Sequence, residues 1–120
     1  MEISTDIQVL GNTVERAPNG LNASRMNWCY GGGILIATSY DVLVAGNTVA
    51  DSVHGILVID QSHRGDTPAG YDARDYVIEG NTVSDVNKVG ACEDVGSPAI
   101  FEGVWSGNVF ERVQTLLRPL

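Results

Sequence analysis

The residues best suited to chemistry lie on either side of one short apolar run. His54 immediately precedes Gly55-Ile56-Leu57-Val58, and Asp60, His63, Arg64 and Asp66 follow it; His54 and His63 are the only histidines in the chain. An imidazole beside carboxylates can take up and return a proton near neutral pH, and an arginine can hold a substrate carboxylate through paired hydrogen bonds. His54, Asp60, His63, Arg64 and Asp66 are therefore the candidate catalytic set. A solvated loop whose charges pair locally would have the same composition, and that is the reading adopted. Arg64-Gly65-Asp66 also spells an adhesion tripeptide, a match short enough to arise by chance. Cys29 and Cys92 lack the pairwise spacing of a zinc site and fall in loops of different repeats, so they read as free thiols. No cofactor is expected.

Composition narrows the partners. The 120 residues are 43% hydrophobic and 18% charged, enough for one domain with a modest core. Lys and Arg total 7 against 15 Asp and Glu, a net charge of -8, so a nucleic-acid backbone would be repelled over most of the surface. No apolar run approaches the roughly 20 residues of a membrane span, and the first residues carry no signal-peptide pattern. The expected class is a soluble domain that binds neither nucleic acid nor membrane.

The elements that position these residues come from an internal repeat. Gly-Asn-Thr-Val occurs at Gly11, Gly46 and Gly80, with a degenerate Gly-Asn-Val-Phe at Gly107. Each copy follows a short alternating run: Ile7-Gln8-Val9, Val42-Leu43-Val44, Tyr76-Val77-Ile78 and, more loosely, Gly103-Val104-Trp105. Alternation of period two indicates strands. A second motif runs out of phase with the first, as Gly33-Ile34-Leu35-Ile36, Gly55-Ile56-Leu57-Val58, then Ala99-Ile100-Phe101 and Thr115-Leu116-Leu117. Each repeat thus supplies a first strand of the Gly-Ile-Leu type, a second of the Val-Leu-Val type, and a third after the Asn. Such strands bury a core only when the repeats stack.

On these residues the chain resembles the pectate-lyase-like superfamily of right-handed parallel β-helices, including its carbohydrate-binding and sugar-hydrolase repeats. The resemblance implies an all-β fold with three strands per coil and about three to four coils over a single domain, 1–120. That domain would be a short protein of its own or a piece of a longer solenoid. The resemblance also implies an Asn in the turn between the second and third strands, where Asn12, Asn47, Asn81 and Asn108 fall. Physically, an amide with both donor and acceptor can bond to the turns above and below it. We read all four as structural.

Counting from each Asn sorts the side chains by face. Val14, Val49, Val83 and Phe110 form one inward row; Val9, Val44, Ile78 and Trp105, with Ile7, Val42 and Tyr76, form another. Thr13, Thr48, Thr82 and Val109 face outward, as β-branched residues on an exposed sheet do. The row four residues past the Asn reads Arg16, Asp51, Asp85, Arg112. Neighbouring carboxylates suggest calcium or split acidities, so Asp51 and Asp85 are the candidate metal residues. The flanking arginines favour charge compensation instead, and no metal is expected. On the first strands, Ile34, Ile56, Ile100 and Leu116 are expected inward, leaving Leu35, Leu57, Phe101 and Leu117 as an outward apolar stripe. Residues 15 to 32 or 84 to 98 could cover it, or a second copy of the chain.

Three functions follow. A non-catalytic module would bind a glycan or protein partner and self-associate, as a homodimer, through the Leu35, Leu57, Phe101 and Leu117 face. The resemblance also implies a polysaccharide lyase, hydrolase or epimerase acting on an acidic sugar polymer. A purely structural, oligomeric solenoid is the third. In the family the first-strand face carries a substrate groove lined by acids, bases and aromatics, and this chain places leucines there. The binding module is accordingly the expectation and catalysis is not.

Overall fold

The computed structural model describes residues 5–16, 32–59, 73–94 and 103–116, and these residues are all-β. Their strands are β1 (Thr5–Leu10), β2 (Thr13–Glu15), β3 (Ile34–Ala37), β4 (Tyr40–Ala45), β5 (Thr48–Ser52), β6 (Ile56–Ile59), β7 (Arg74–Glu79), β8 (Thr82–Asp94), β9 (Val104–Ser106) and β10 (Val109–Leu116). Every pairing between them is parallel. The second strands stack as β1-β4-β7-β9. The third strands stack as β2-β5-β8-β10, and the first strands as β3-β6-β8, because β8 is long enough to serve in both stacks. Stacked equivalents of this kind are consistent with a β-helix. No helix long and apolar enough to cross a membrane occurs among the described residues.

Register is set by the repeat. Val9, Val44 and Ile78 align, as do Val14, Val49, Val83 and Phe110, and Trp105 aligns with Ile78. Val44, Val49, Ile78 and Val83 are completely buried and share one core cluster with Ile36, Ile56, Val58, Tyr76 and Trp105. Fully burying a branched side chain is worth about 1.5–3 kcal/mol, so these columns carry the hydrophobic stabilisation.

The turns hold a polar column. Asn12 donates its backbone N–H and its Nδ2 to Asn47 Oδ1 at 2.8 and 3.1 Å. Asn47 does the same to Asn81 Oδ1, both at 2.9 Å, and Asn81 to Asn108 Oδ1 at 3.0 and 2.8 Å. The remaining Nδ2 hydrogens reach backwards, from Asn47 to the Val9 carbonyl at 2.8 Å, from Asn81 to Val44 at 3.0 Å and from Asn108 to Ile78 at 2.8 Å. Asn47 and Asn81 are almost wholly buried, and these bonds satisfy polar groups that would otherwise be stranded in the bend.

The corners share one further property. Besides Gly11, Gly32, Gly46, Gly80 and Gly107, positive φ values occur at Asp6, Asp41 and Asp75, at Arg16, Asp51, Asp85 and Arg112, and at the buried Thr38. Asp tolerates that region better than most residues with a Cβ. The acidic rows therefore have a backbone reason to be Asp.

Three expectations change. The first strand of the last layer is the Ala91–Asp94 half of β8, which pairs with β6 through Ile56↔Ala91 and Leu57↔Cys92, so Ala91 and Cys92 take the places assigned to Ile100 and Phe101. Residues 84 to 94 are consequently strand rather than a covering loop. Phe101 and Leu117 lie outside the described residues. Leu57 is completely buried and Leu35 is half-buried; together with Ala37, Ile59, Val89 and Cys92 they make a second apolar cluster on the outer side of the first strands. The stripe is thus covered at Leu57 within one chain. Cys92 is disulfide-bonded, in a chain whose sequence holds two cysteines, and the reading of free thiols is corrected. Cys29 is outside the described residues.

Two substitutions test this architecture. Asn47→Ala removes an acceptor and two donors from a buried turn and should cost about 1–3 kcal/mol in urea unfolding; a change within about 0.3 kcal/mol would count against the column. At Asp41, Asn should leave stability nearly unchanged, whereas Val, a β-branched residue forced to positive φ, should cost roughly 1–2 kcal/mol. Equal effects of the two would show that the corner does not require a left-handed residue.

Candidate functional site

Of the five catalytic candidates only His54 is among the described residues; Asp60, His63, Arg64 and Asp66 lie outside them. His54 sits in the corner between β5 and β6 and is completely buried. Its Nδ1 accepts the Val89 N–H at 3.3 Å, which places the ring proton on Nε2 and makes the imidazole a strut between two layers. The corner is tight. A Cβ on the adjacent Gly55 would lie 2.0 Å from the Gly90 carbonyl oxygen, and one on Gly32 would lie 2.6 Å from His54 Cβ. Immediate precedence to a strand, which made His54 look exposed and available in the sequence, is the position that buries it.

The metal candidates part company. Arg112 donates to both oxygens of Asp85, Nε to Oδ1 at 2.6 Å and Nη2 to Oδ2 at 3.1 Å. This fork holds the Asp85 carboxyl below its ordinary 3.8, first through the hydrogen bonds and then through the guanidinium charge, with desolvation opposing. Asp51, one layer away, makes no ion pair among the described residues, and Arg16 turns to Glu15 at 3.6 Å. Compensation along the row is therefore real at one end and missing at the other. Among the described residues no three His, Cys, Asp or Glu side chains converge to hold a metal ion.

A different acidic row lies on a groove. Thr5, Tyr40 and Arg74 align across the second-strand sheet, as do Ile7, Val42 and Tyr76, which places Asp6, Asp41 and Asp75 in one column between them. All three are exposed. They line a shallow groove of about 380 Å³ with Ile7, Gln8, Val42 and Leu43. The three residues stack at the strand spacing of ~4.8 Å, so a carboxylate recurs in each layer along the stacking axis. In the adjoining row the Tyr40 ring carries the Arg74 guanidinium at 4.8 Å, and the Thr5 hydroxyl donates to Asp41 Oδ2 at 3.4 Å. Beside the acids, Gln8, Leu43, Val77 and Val104 form a flat outer row that is largely aliphatic. Such a surface can accept hydrogen bonds from hydroxyls or ammonium groups and pack against their carbon framework. The clue was present in the sequence as an Asp immediately before three of the alternating runs, Asp6 before Ile7, Asp41 before Val42 and Asp75 before Tyr76, and reasoning from the Asn outward passed over it.

Glu93 was also missed. Its register partner Val58 stands in the inward column, so Glu93 turns its carboxylate toward the core of the last layer. There Oε2 accepts from the Tyr76 hydroxyl and from Trp105 Nε1, the latter at 2.9 Å. Room for the phenol exists because the residue above it is Gly103, where a Cβ would lie 2.1 Å from the ring. Tyr76 and Trp105 thus close the core with polar ends directed at one carboxylate.

Comparison of the chain with family models, curated proteins and solved structures returns no match.

The Asp85–Arg112 fork gives a signed prediction. Asp85 has a depressed carboxyl pKa, so its contribution to stability is present above the unfolded value and is lost as pH falls through the folded one. In Arg112→Ala, carbon-detected NMR should show Asp85 titrating at higher pH than in the wild type. An unmoved titration would mean that the fork does not persist in solution.

Proposed function

We propose that the chain is a binding module, a right-handed β-helix of the pectate-lyase-like type, that holds an extended glycan along the groove of Asp6, Asp41 and Asp75. The observation that carries this reading is the carboxylate ladder itself, which repeats along the axis as sugar units repeat along a polymer. Carboxylates accept hydrogen bonds from hydroxyls, and more strongly from ammonium groups. The favoured ligand is therefore a neutral or amino-bearing glycan. A net charge of -8 and three unscreened acids on the groove work against the acidic sugar polymer that a family enzyme would process. His54, held inside the corner by Val89, supports a structural rather than a catalytic role.

Binding of chitosan hexamer, cellohexaose and polygalacturonate, measured by calorimetry, tests the reading. Chitosan should bind most tightly and polygalacturonate least. Asp41→Asn, which keeps the left-handed corner but removes one charge, should weaken chitosan binding about tenfold, the worth of one charge-assisted hydrogen bond. Preference for polygalacturonate, or no loss in Asp41→Asn, would overturn it.

A further inference from the structure

The two ends of the stack are chemically complementary. In every inner layer the turn is wired to its neighbours by the same set of bonds. The Gly N–H donates to the carbonyl before the next Gly, as Gly11 does to Ala45, Gly46 to Glu79 and Gly80 to Ser106, at 3.1, 3.2 and 3.1 Å. In the other direction, Thr48, Thr82 and Val109 donate their N–H to the Asn carbonyl of the layer before, those of Asn12, Asn47 and Asn81, each at 2.8 Å. The Asn side chains add the column already described. The set has a polarity, and it stops at Asn12 on one side and Asn108 on the other.

At the Asn108 end, the N–H groups of Gly107 and Asn108 have no acceptor among the described residues. At the Asn12 end, Asn12 Oδ1 has no donor among the described residues, and Asn12 Nδ2 folds back onto its own Leu10 carbonyl at 3.2 Å, where Asn47 and Asn81 reach the layer before. The apolar columns are open at the same places. Ile7, Val9 and Val14 at one end and Phe110 and Val113 at the other are only partly buried, whereas Val42, Val44, Val49 and Val83 in the same columns are at most 2% exposed. Asn12 is likewise exposed and Asn108 half-buried, while Asn47 and Asn81 are buried.

We propose that copies of this chain stack head to tail, the Asn12 end of one copy adding a layer to the Asn108 end of the next. The occupant is a second copy because the open end asks for the same turn that the chain carries at its other end. Continuing the repeat gives Gly107 N–H to Leu10 carbonyl, Asn108 N–H to Asn12 Oδ1, Thr13 N–H to Asn108 carbonyl and Asn12 Nδ2 to Trp105 carbonyl. It also sets Val9 over Trp105 and Val14 over Phe110. Arg16 comes beside Arg112, and each already has a glutamate at 3.6 Å, Glu15 and Glu111, to offset its charge. The contact joins two different surfaces and does not close on itself, so it grows into filaments rather than stopping at a dimer. This differs from the homodimer expected through Leu57, whose side chain is already covered.

Two blocked variants decide the matter. Thr13→Pro removes the donor of the Asn12 end at an edge position where proline is tolerated. Phe110→Lys places an ammonium on the open face of the Asn108 end. Circular dichroism identifies either variant that fails to fold, and Val14→Lys, which sets an ammonium on the open face of the Asn12 end, then replaces Thr13→Pro; Val113→Lys replaces Phe110→Lys. In analytical ultracentrifugation the wild type should grow with concentration past twice 12.8 kDa. Each variant alone should remain a monomer, and an equimolar mixture should form a dimer and nothing larger. A wild type that stays monomeric at millimolar concentration, one that stops at a dimer, or a mixture of blocked variants that does not associate would each overturn the proposal.

Discussion

The Asn column is the interaction on which the remaining structure depends. A chain that turns three times per repeat must bend its backbone where no regular hydrogen-bond pattern serves it, and here the bend between second and third strands is buried. An unsatisfied group in that bend would cost about 1–3 kcal/mol, comparable to the gain from burying one aliphatic side chain. The primary amide removes that cost in both directions along the axis, because its oxygen accepts from the layer before while its nitrogen donates to the layers on both sides. Once the turns are in register, the strands on either side are too, and the Val and Ile columns close without further instruction.

The other corners use a weaker device with consequences for the surface. A left-handed backbone at Asp6, Asp41, Asp75, Asp51 and Asp85 is met by a residue that tolerates it, and that residue is charged. Stacking equivalent corners then lines up equivalent charges. Two carboxylates ~4.8 Å apart repel by roughly 1 kcal/mol in water, a cost that the Asp85–Arg112 fork relieves at one place and the groove row does not. A backbone requirement has thus produced an electrostatic feature, and the binding reading rests on that feature having a use.

Repetition decides what was legible in the sequence. The four Gly-Asn turns and the alternating runs before them gave strand positions, inward rows and the parallel stack, because each is stated several times over. Where a repeat is stated once or is interrupted, the reading failed. Ala99-Ile100-Phe101 looked like the third of the first strands, but Ala91-Cys92-Glu93 pairs with β6, since only four residues separate it from the end of the third strand, as three do at Val53-His54-Gly55. Glu93 was invisible for the same reason: a charged residue in an inward column breaks the pattern, and it is tolerated only because Tyr76, Trp105 and Gly103 converge on it. His54 misled through its neighbours, as a corner is where a sequence looks polar and a solenoid packs most tightly.

Translation symmetry also has a cost at its limits. A fold built by adding equivalent layers has no intrinsic stopping point, and whatever makes the inner layers bind one another makes the outer ones adhesive. The Trp105–Tyr76–Glu93 arrangement departs from the repeat near one end, drawing two large side chains inward onto a carboxylate. Yet the departure is confined to the first and second strands, and the adjoining Gly107-Asn108 turn keeps the geometry of its predecessors. Opposing the adhesion is the net charge of -8, a repulsion between copies that acts over about 10 Å at moderate ionic strength. Short-range complementarity at the turns and longer-range repulsion between whole copies therefore depend on salt differently. Screening weakens the repulsion while leaving the buried amide bonds almost untouched, so ionic strength sets the balance between single copies and stacks.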